Sequence, residues 1–105
     1  MNRDWLNLLG IGLGSGHIIT GEEMVVKAVQ GGKAYLVIIA EDISENTYKK
    51  VTDKCRFYNV NCIQQGSSEE IGQAMGKSFR KVVGITDPKF AKAVKNKIKL
   101  NTSEG

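Results

Sequence analysis

Seven consecutive apolar residues, Ala34-Tyr35-Leu36-Val37-Ile38-Ile39-Ala40, constrain this chain more than any other feature. Nothing polar alternates along the run, so a strand formed there is covered on both faces. That demands a parallel or mixed sheet lying between helices. The run is the longest of its kind in the chain and falls far short of the roughly 20 apolar residues a membrane-spanning helix needs.

Helix and strand signals alternate around it. A first helix is expected from Asp4, with Trp5, Leu8 and Leu9 on one face, although Gly10 and the glycines after it weaken it by about 1 kcal/mol each relative to Ala. His17 to Thr20 reads as a short strand. Thr20-Gly21-Glu22-Glu23 has the spacing of a capping box, with Thr20 as N-cap, and Gly31-Gly32 stops the helix it opens. A third helix is expected over about Ser44–Tyr58, burying Tyr48, Val51, Cys55 and Tyr58. Val60 to Ile63 follows as a strand. Ser67-Ser68-Glu69-Glu70 is a second capping box, opening a helix that buries Ile71, Ala74 and Met75. After a strand at Val82–Ile85, Asp87-Pro88 provides an N-cap and Pro at the first helical position. The helix it starts buries Phe90, Ala91, Val94 and Ile98. The expected fold is therefore α/β, a three-layer α/β/α sandwich around a small mixed sheet of about four strands. It forms one domain over residues 1–99, with a disordered tail at 100–105.

The 105 residues are enough for such a domain without metal or disulfide staples. Cys55 and Cys62 form no CxxC pair, which points to core packing in a reducing cytosol rather than a zinc site. No secretory leader is legible in Met1-Asn2-Arg3-Asp4 or the glycine-diluted Leu8-Leu9 segment. Charge is uneven. Residues 1–48 hold three basic and six acidic side chains, a net of −3, and residues 49–105 hold twelve and five, a net of +7. A basic half suggests an anionic partner such as nucleic acid, against the plainer reading of a solvated lysine surface. The expectation is one cationic face bringing Lys49 and Lys50 together with Lys77 and Arg80.

Catalytic constellations are scarce. His17 is the only histidine, and Glu22-Glu23 and Glu69-Glu70 fall in first turns where capping and the helix dipole already account for them. Gly10 to Gly16 imitates a dinucleotide fingerprint, but Ser15 and His17 stand where its third glycine would be needed. Gly72-Gln73-Ala74-Met75-Gly76-Lys77-Ser78 imitates a phosphate loop with one residue too few between its glycines. A helix leads into it and a strand leads out, the reverse of the order that cradles phosphate. No enzyme activity, cofactor or metal is expected. Three segments suit RNA instead. Gly21, Glu22, Glu23 and Lys27 open the second helix, where free N–H groups can meet acceptors. Lys77, Ser78, Phe79 and Arg80 set two cations around an aromatic that can stack an unpaired base. Asn46 and Thr47 precede Lys49 and Lys50.

These residues carry a resemblance. Leu9-Gly10, Thr20-Gly21-Glu22-Glu23 with Lys27 and Gly31, Leu36 to Asp42, Ile71 to Lys77 and Val82 to Ile85 are similar in order and spacing to the archaeal-type kink-turn-binding ribosomal proteins of the seven-Ae and thirty-e large-subunit type. The run Ser44-x-Asn46-Thr47-x-Lys49-Lys50 with Asp53-Lys54-Cys55 most resembles the bacterial YlxQ-type branch. The resemblance spans about residues 4–98. It implies a non-catalytic, ribosome-associated cytoplasmic protein that binds structured, kink-turn-like RNA, with ribosomal RNA and ribosomal proteins as partners. It places the helix role on Gly21, Glu22, Glu23 and Lys27 and the loop role on Lys77 to Arg80. The family's Asn–Glu pair aligns with Glu23 and Met24 here, so the guanine-reading amide is replaced by a carboxylate. A second reading, suggested by the acidic Glu22-Glu23 start, is a protein-interaction module on the same fold.

Overall fold

The apolar run forms β2 (Leu36–Ile39), every residue of which is buried. It lies inside a four-stranded sheet with β1 (Ile18–Thr20), β3 (Asn61–Gln64) and β4 (Val82–Ile85), in the order β1-β4-β2-β3. β2 pairs parallel with β3 and antiparallel with β4, and β1 pairs antiparallel with β4. Three strands thus run one way and β4 runs against them. This is a computed structural model, and it describes residues 4–102, with side chains described to Lys99.

Alternation along β2 builds two cores, as a pleated strand covered on both sides must. Leu36 and Ile38 face α1 (Asp4–Gly14), α4 (Ser68–Ala74) and α5 (Pro88–Thr102), packing with Leu9, Ile71, Val94 and Ile98. Val37 and Ile39 face α2 (Glu22–Gln30) and α3 (Glu45–Phe57), packing with Val25, Val29, Val51 and Cys55. The three-layer α/β/α sandwich expected from the sequence is the fold observed.

Several local expectations change. The strand is shorter than the apolar run: Tyr35 precedes it with its ring 46% exposed and its N–H donating to the Ile85 carbonyl, and the buried Ala40 follows it. α1 continues through Gly10 and Gly12, and a Cβ at Gly12 would collide with the ring of Phe90 and with Ile18, so the small residue lets the helix lie close. Thr20 is not the N-cap of α2. It belongs to β1, opposite Val83, and Gly21 takes the cap position at φ 101° and ψ 141° without any side-chain cap bond. In α3 only Val51 and Cys55 are buried; Tyr48 and Tyr58, expected in the core, are exposed, and Phe90 in α5 is only partly buried. The capping box at Ser67 and Glu70 forms in full, and Asp87 caps α5 through the Phe90 N–H. The tail expected from residue 100 overlaps α5, which continues to Thr102, and residues 103–105 lie outside the described ones.

Cys55 and Cys62 are free, with their thiols hydrogen-bonded to one another between α3 and β3. That bond and burial push the Cys62 thiol well above its ordinary range. Among the described residues no His, Cys, Asp and Glu cluster could hold a metal ion, and no helix is long and apolar enough to cross a membrane.

Candidate nucleic-acid interface

Strand direction decides where the candidate residues gather. β1, β2 and β3 end on the same side of the sheet, each feeding a helix, so the caps of α2, α3 and α4 at Gly21, Ser44 and Ser67 share that edge. β4 begins there, and the segment 76–81 leading into it completes the edge. Helix N-termini offer unsatisfied N–H groups and the positive end of the macrodipole.

Gly21 follows the edge strand β1 and lies beside the start of β4. Its N–H donates to the Val82 carbonyl at 3.0 Å, which ties the start of α2 to the start of β4. Open space surrounds the position where a side chain would be, within 4 Å. Glu23 and Met24 follow in the first turn and face solvent, Met24 at 60% exposure. Lys27 is exposed one turn on. Glu22 behaves differently. Its Oε2 is 2.9 Å from the Nζ of Lys50 in α3. The hydrogen bond from Lys50, more than its charge, holds the Glu22 carboxyl below its ordinary value against a small cost of desolvation, and the Thr47 side chain adds to it. Glu22 in turn raises Lys50. The bridge is exposed and contributes little to stability, but it joins α2 to α3 and offsets one of the two acidic charges at the helix start.

On α3, the Ser44 hydroxyl accepts from the Thr47 N–H at 3.3 Å and caps the helix. Asn46 and Lys49 are exposed on its first turns.

The segment from Met75 to Lys81 is held from beneath. Lys77 N–H donates to the Gly72 carbonyl at 2.8 Å, and Arg80 N–H donates to the Ser68 carbonyl at 3.0 Å. Ser68, itself only 1% exposed, is clamped by Asp42: its hydroxyl donates to Oδ2 at 2.6 Å and its N–H to Oδ1 at 2.8 Å. The Ser68 hydroxyl, then its N–H, holds the Asp42 carboxyl below its ordinary value, with Lys81 adding a little. Sequence reading missed this clamp, since its members are 26 residues apart and neither forms a local motif with the other. Above this base Lys77 and Ser78 are exposed, and Phe79 is 63% exposed. The Arg80 guanidinium donates to the Phe79 carbonyl at 3.0 Å.

The single cationic face is corrected in part. Lys49, Lys50, Lys77 and Arg80 do belong to elements that begin at or lead into this end. Much of the remaining charge does not: Lys89, Lys92, Lys95, Lys97 and Lys99 lie on α5, in the opposite helical layer, and α5 starts from the other end of the sheet. Helical spacing places those lysines on α5, and nothing in their sequence shows which layer it joins. His17 is half-buried beside Phe90, with ring centroids 5.7 Å apart. The phosphate-loop mimic runs out of α4 into β4, so it does not itself open a helix onto Lys77.

The chain resembles known proteins along nearly all its length. Residues 4–95 match the ribosomal protein L7Ae/L30e/S12e/Gadd45 family. An RNA-binding protein YlxQ of Enterococcus faecium is 46% identical over 93 residues, covering 89% of each chain. A solved protein from Bacillus halodurans C superposes with a TM-score of 0.88 at 40% identity, covering 90% of this chain and 96% of the other. The Giardia lamblia 15.5kD RNA-binding protein superposes at 0.78 and 27% identity, covering 93% and 88%. With this match, these likenesses and the three-layer fold, the chain belongs to the ribosomal protein L7Ae/L30e/S12e/Gadd45 family.

Proposed function

We propose that this protein binds structured, kink-turn-like RNA without catalysing a reaction, and that it does so in the cytoplasm in association with the ribosome. The observation that carries the reading is the convergence at one sheet end of an open helix start at Gly21 and an exposed Phe79 between Lys77 and Arg80. An RNA backbone can approach a helix start that bears no side chain, and the aromatic can stack an unpaired base while the cations meet phosphate. The names of the family and of its YlxQ and 15.5kD members support the same reading. The interaction-module alternative rests on the acidic start of α2, and it weakens because Lys50 offsets Glu22.

The test is a titration of the protein against a kink-turn hairpin, a plain duplex and ATP or GTP, repeated over a salt series. The hairpin is expected to bind best, with affinity falling steeply as salt rises, and Lys77→Ala is expected to weaken it while nucleotide titrations stay flat. Saturable, Lys77-dependent nucleotide binding, or no RNA binding at low salt, overturns the proposal.

A further inference from the structure

The outward flank of α3 carries a feature that the interface above does not use. Phe57 is 79% exposed, the most exposed large apolar side chain among the described residues, and it lies edge-to-face on Tyr58 at 4.9 Å and 75°. Single exposed apolar residues need no explanation, but here two aromatics border a groove of about 620 Å³ lined by Lys50, Asp53, Lys54, Phe57 and Tyr58. Lys50, Asp53, Lys54 and Phe57 stand at i, i+3, i+4 and i+7, one face of the helix. That face is distinct from the buried one formed by Val51 and Cys55. At 1.5 Å per residue the stripe is about 10 Å long. Its one carboxylate, Asp53, is bridged to Arg56 at 3.3 Å, and Lys54 makes no ion pair among the described residues. The stripe begins at Lys50, whose ammonium touches Glu22 in the first turn of α2, so it continues directly from the candidate interface.

We infer that this flank of α3 is a platform for single-stranded RNA, on which an unpaired extension of the bound RNA stacks a base against Phe57 and Tyr58 and lays its phosphates along Lys50 and Lys54. The inference rests on the RNA-binding reading above. Aromatics beside a cationic groove are what sequence-tolerant single-strand binding requires, since every base offers a π-face.

The experiment compares a kink-turn hairpin with the same hairpin carrying a short unpaired extension containing 2-aminopurine, and also titrates the free single-stranded oligonucleotide. The variants are Phe57→Ala, Phe57→Trp and Lys54→Ala, all at exposed or half-exposed positions. Wild type is expected to bind the extended hairpin roughly fivefold tighter or more, within the range of one stacked base, with quenching of the 2-aminopurine. Phe57→Ala should abolish the gain and the quenching, Phe57→Trp should retain both, and Lys54→Ala should lower the salt dependence of the gain. If the plain hairpin binds but the extension adds nothing, or Phe57→Ala matches wild type, the platform is overturned and the hairpin-binding function stands. If the hairpin does not bind, the proposed function fails, and the free oligonucleotide decides the platform: Phe57-dependent binding upholds it and no binding overturns it. Phe57-dependent self-association in sedimentation, with no effect on RNA, also overturns it.

Discussion

The carbonyl oxygen of Ser78 lies where a Cβ on Gly72 would be, so the loop before β4 rests directly on the backbone of α4. Gly72 is buried in the helix and its own carbonyl accepts from the Lys77 N–H, which fixes the loop at a second point. Helix propensity alone favours Ala over Gly by about 1 kcal/mol. The displaced atom is backbone and cannot move as a flexible side chain would, and overpacking of this kind costs about 1–3 kcal/mol. Crowding therefore wins. Gly72→Ala is expected to lower the urea midpoint and to weaken RNA binding, because Lys77, Phe79 and Arg80 ride on the displaced segment. An unchanged midpoint with unchanged affinity would show that the loop is not seated on this glycine.

Gly21→Ala separates strain from access. No atom obstructs a Cβ there, so crowding within the protein is not the cost. The cost is the backbone, held at φ 101° and ψ 141°, in a region close to one that only glycine occupies readily. The substitution is expected to destabilise the fold by about 1–2 kcal/mol. Under conditions where the variant is still fully folded by circular dichroism, RNA affinity should nevertheless fall, since the new methyl group stands where the RNA backbone is proposed to approach. Full affinity in the folded variant would remove Gly21 from the interface.

The Asp42–Ser68 clamp makes an acid-sensitive contribution. Its carboxyl has a folded pKa below the ordinary 3.8 because the Ser68 hydroxyl and N–H donate to the ionised form. The stability this gives is fully present above the unfolded value and is lost as pH falls through the lower folded value. Ser68→Ala should therefore lower the urea midpoint most at neutral pH, and the two proteins should converge in strong acid. Because the Ser68 carbonyl also accepts from Arg80, the variant reports on the loop as well. A difference that stays constant across the pH range would assign the loss to packing alone.

What the sequence made legible followed from period and chemistry that act locally. The run at 34–40 implied a sheet covered on both sides, and Ser67 with Glu70 implied the cap of α4; both are in the structure. The cap of α2 was misplaced by one residue because sheet pairing with Val83 claims Thr20, a tertiary effect that overrides the local signal. Tyr48 and Tyr58 follow the helical period of Val51 and Cys55 yet remain exposed near the two ends of α3, beyond the reach of the core. The candidate site was readable as three separate segments. Their meeting at one end depends on β1, β2 and β3 running in the same direction, which no single segment encodes.

Base readout at the start of α2 is the remaining prediction. The resemblance read from the sequence sets Glu23 and Met24 where the family's Asn–Glu pair is expected to meet sheared guanines, and we propose that they stand at the base-reading positions. Both are exposed in the first turn of the helix, so neither is committed to the core. Glu23 can accept from guanine donors but cannot donate to a base acceptor, and its charge repels nearby phosphate; methionine offers only a weak sulfur acceptor. A standard kink-turn is therefore expected to bind more weakly than it would to a protein with the amide in place. The double change Glu23→Asn, Met24→Glu should tighten it by roughly 1–3 kcal/mol, the scale of one good bidentate base contact. The fold should not change, since both side chains lie outside the two cores. Calorimetric titration of both proteins against one kink-turn and one plain duplex measures the effect. Tightening confined to the kink-turn assigns Glu23 and Met24 to guanine reading. If wild type already binds at nanomolar affinity and the double change leaves it there, readout lies elsewhere on the interface, and the loop at Lys77 to Arg80 becomes the next place to substitute.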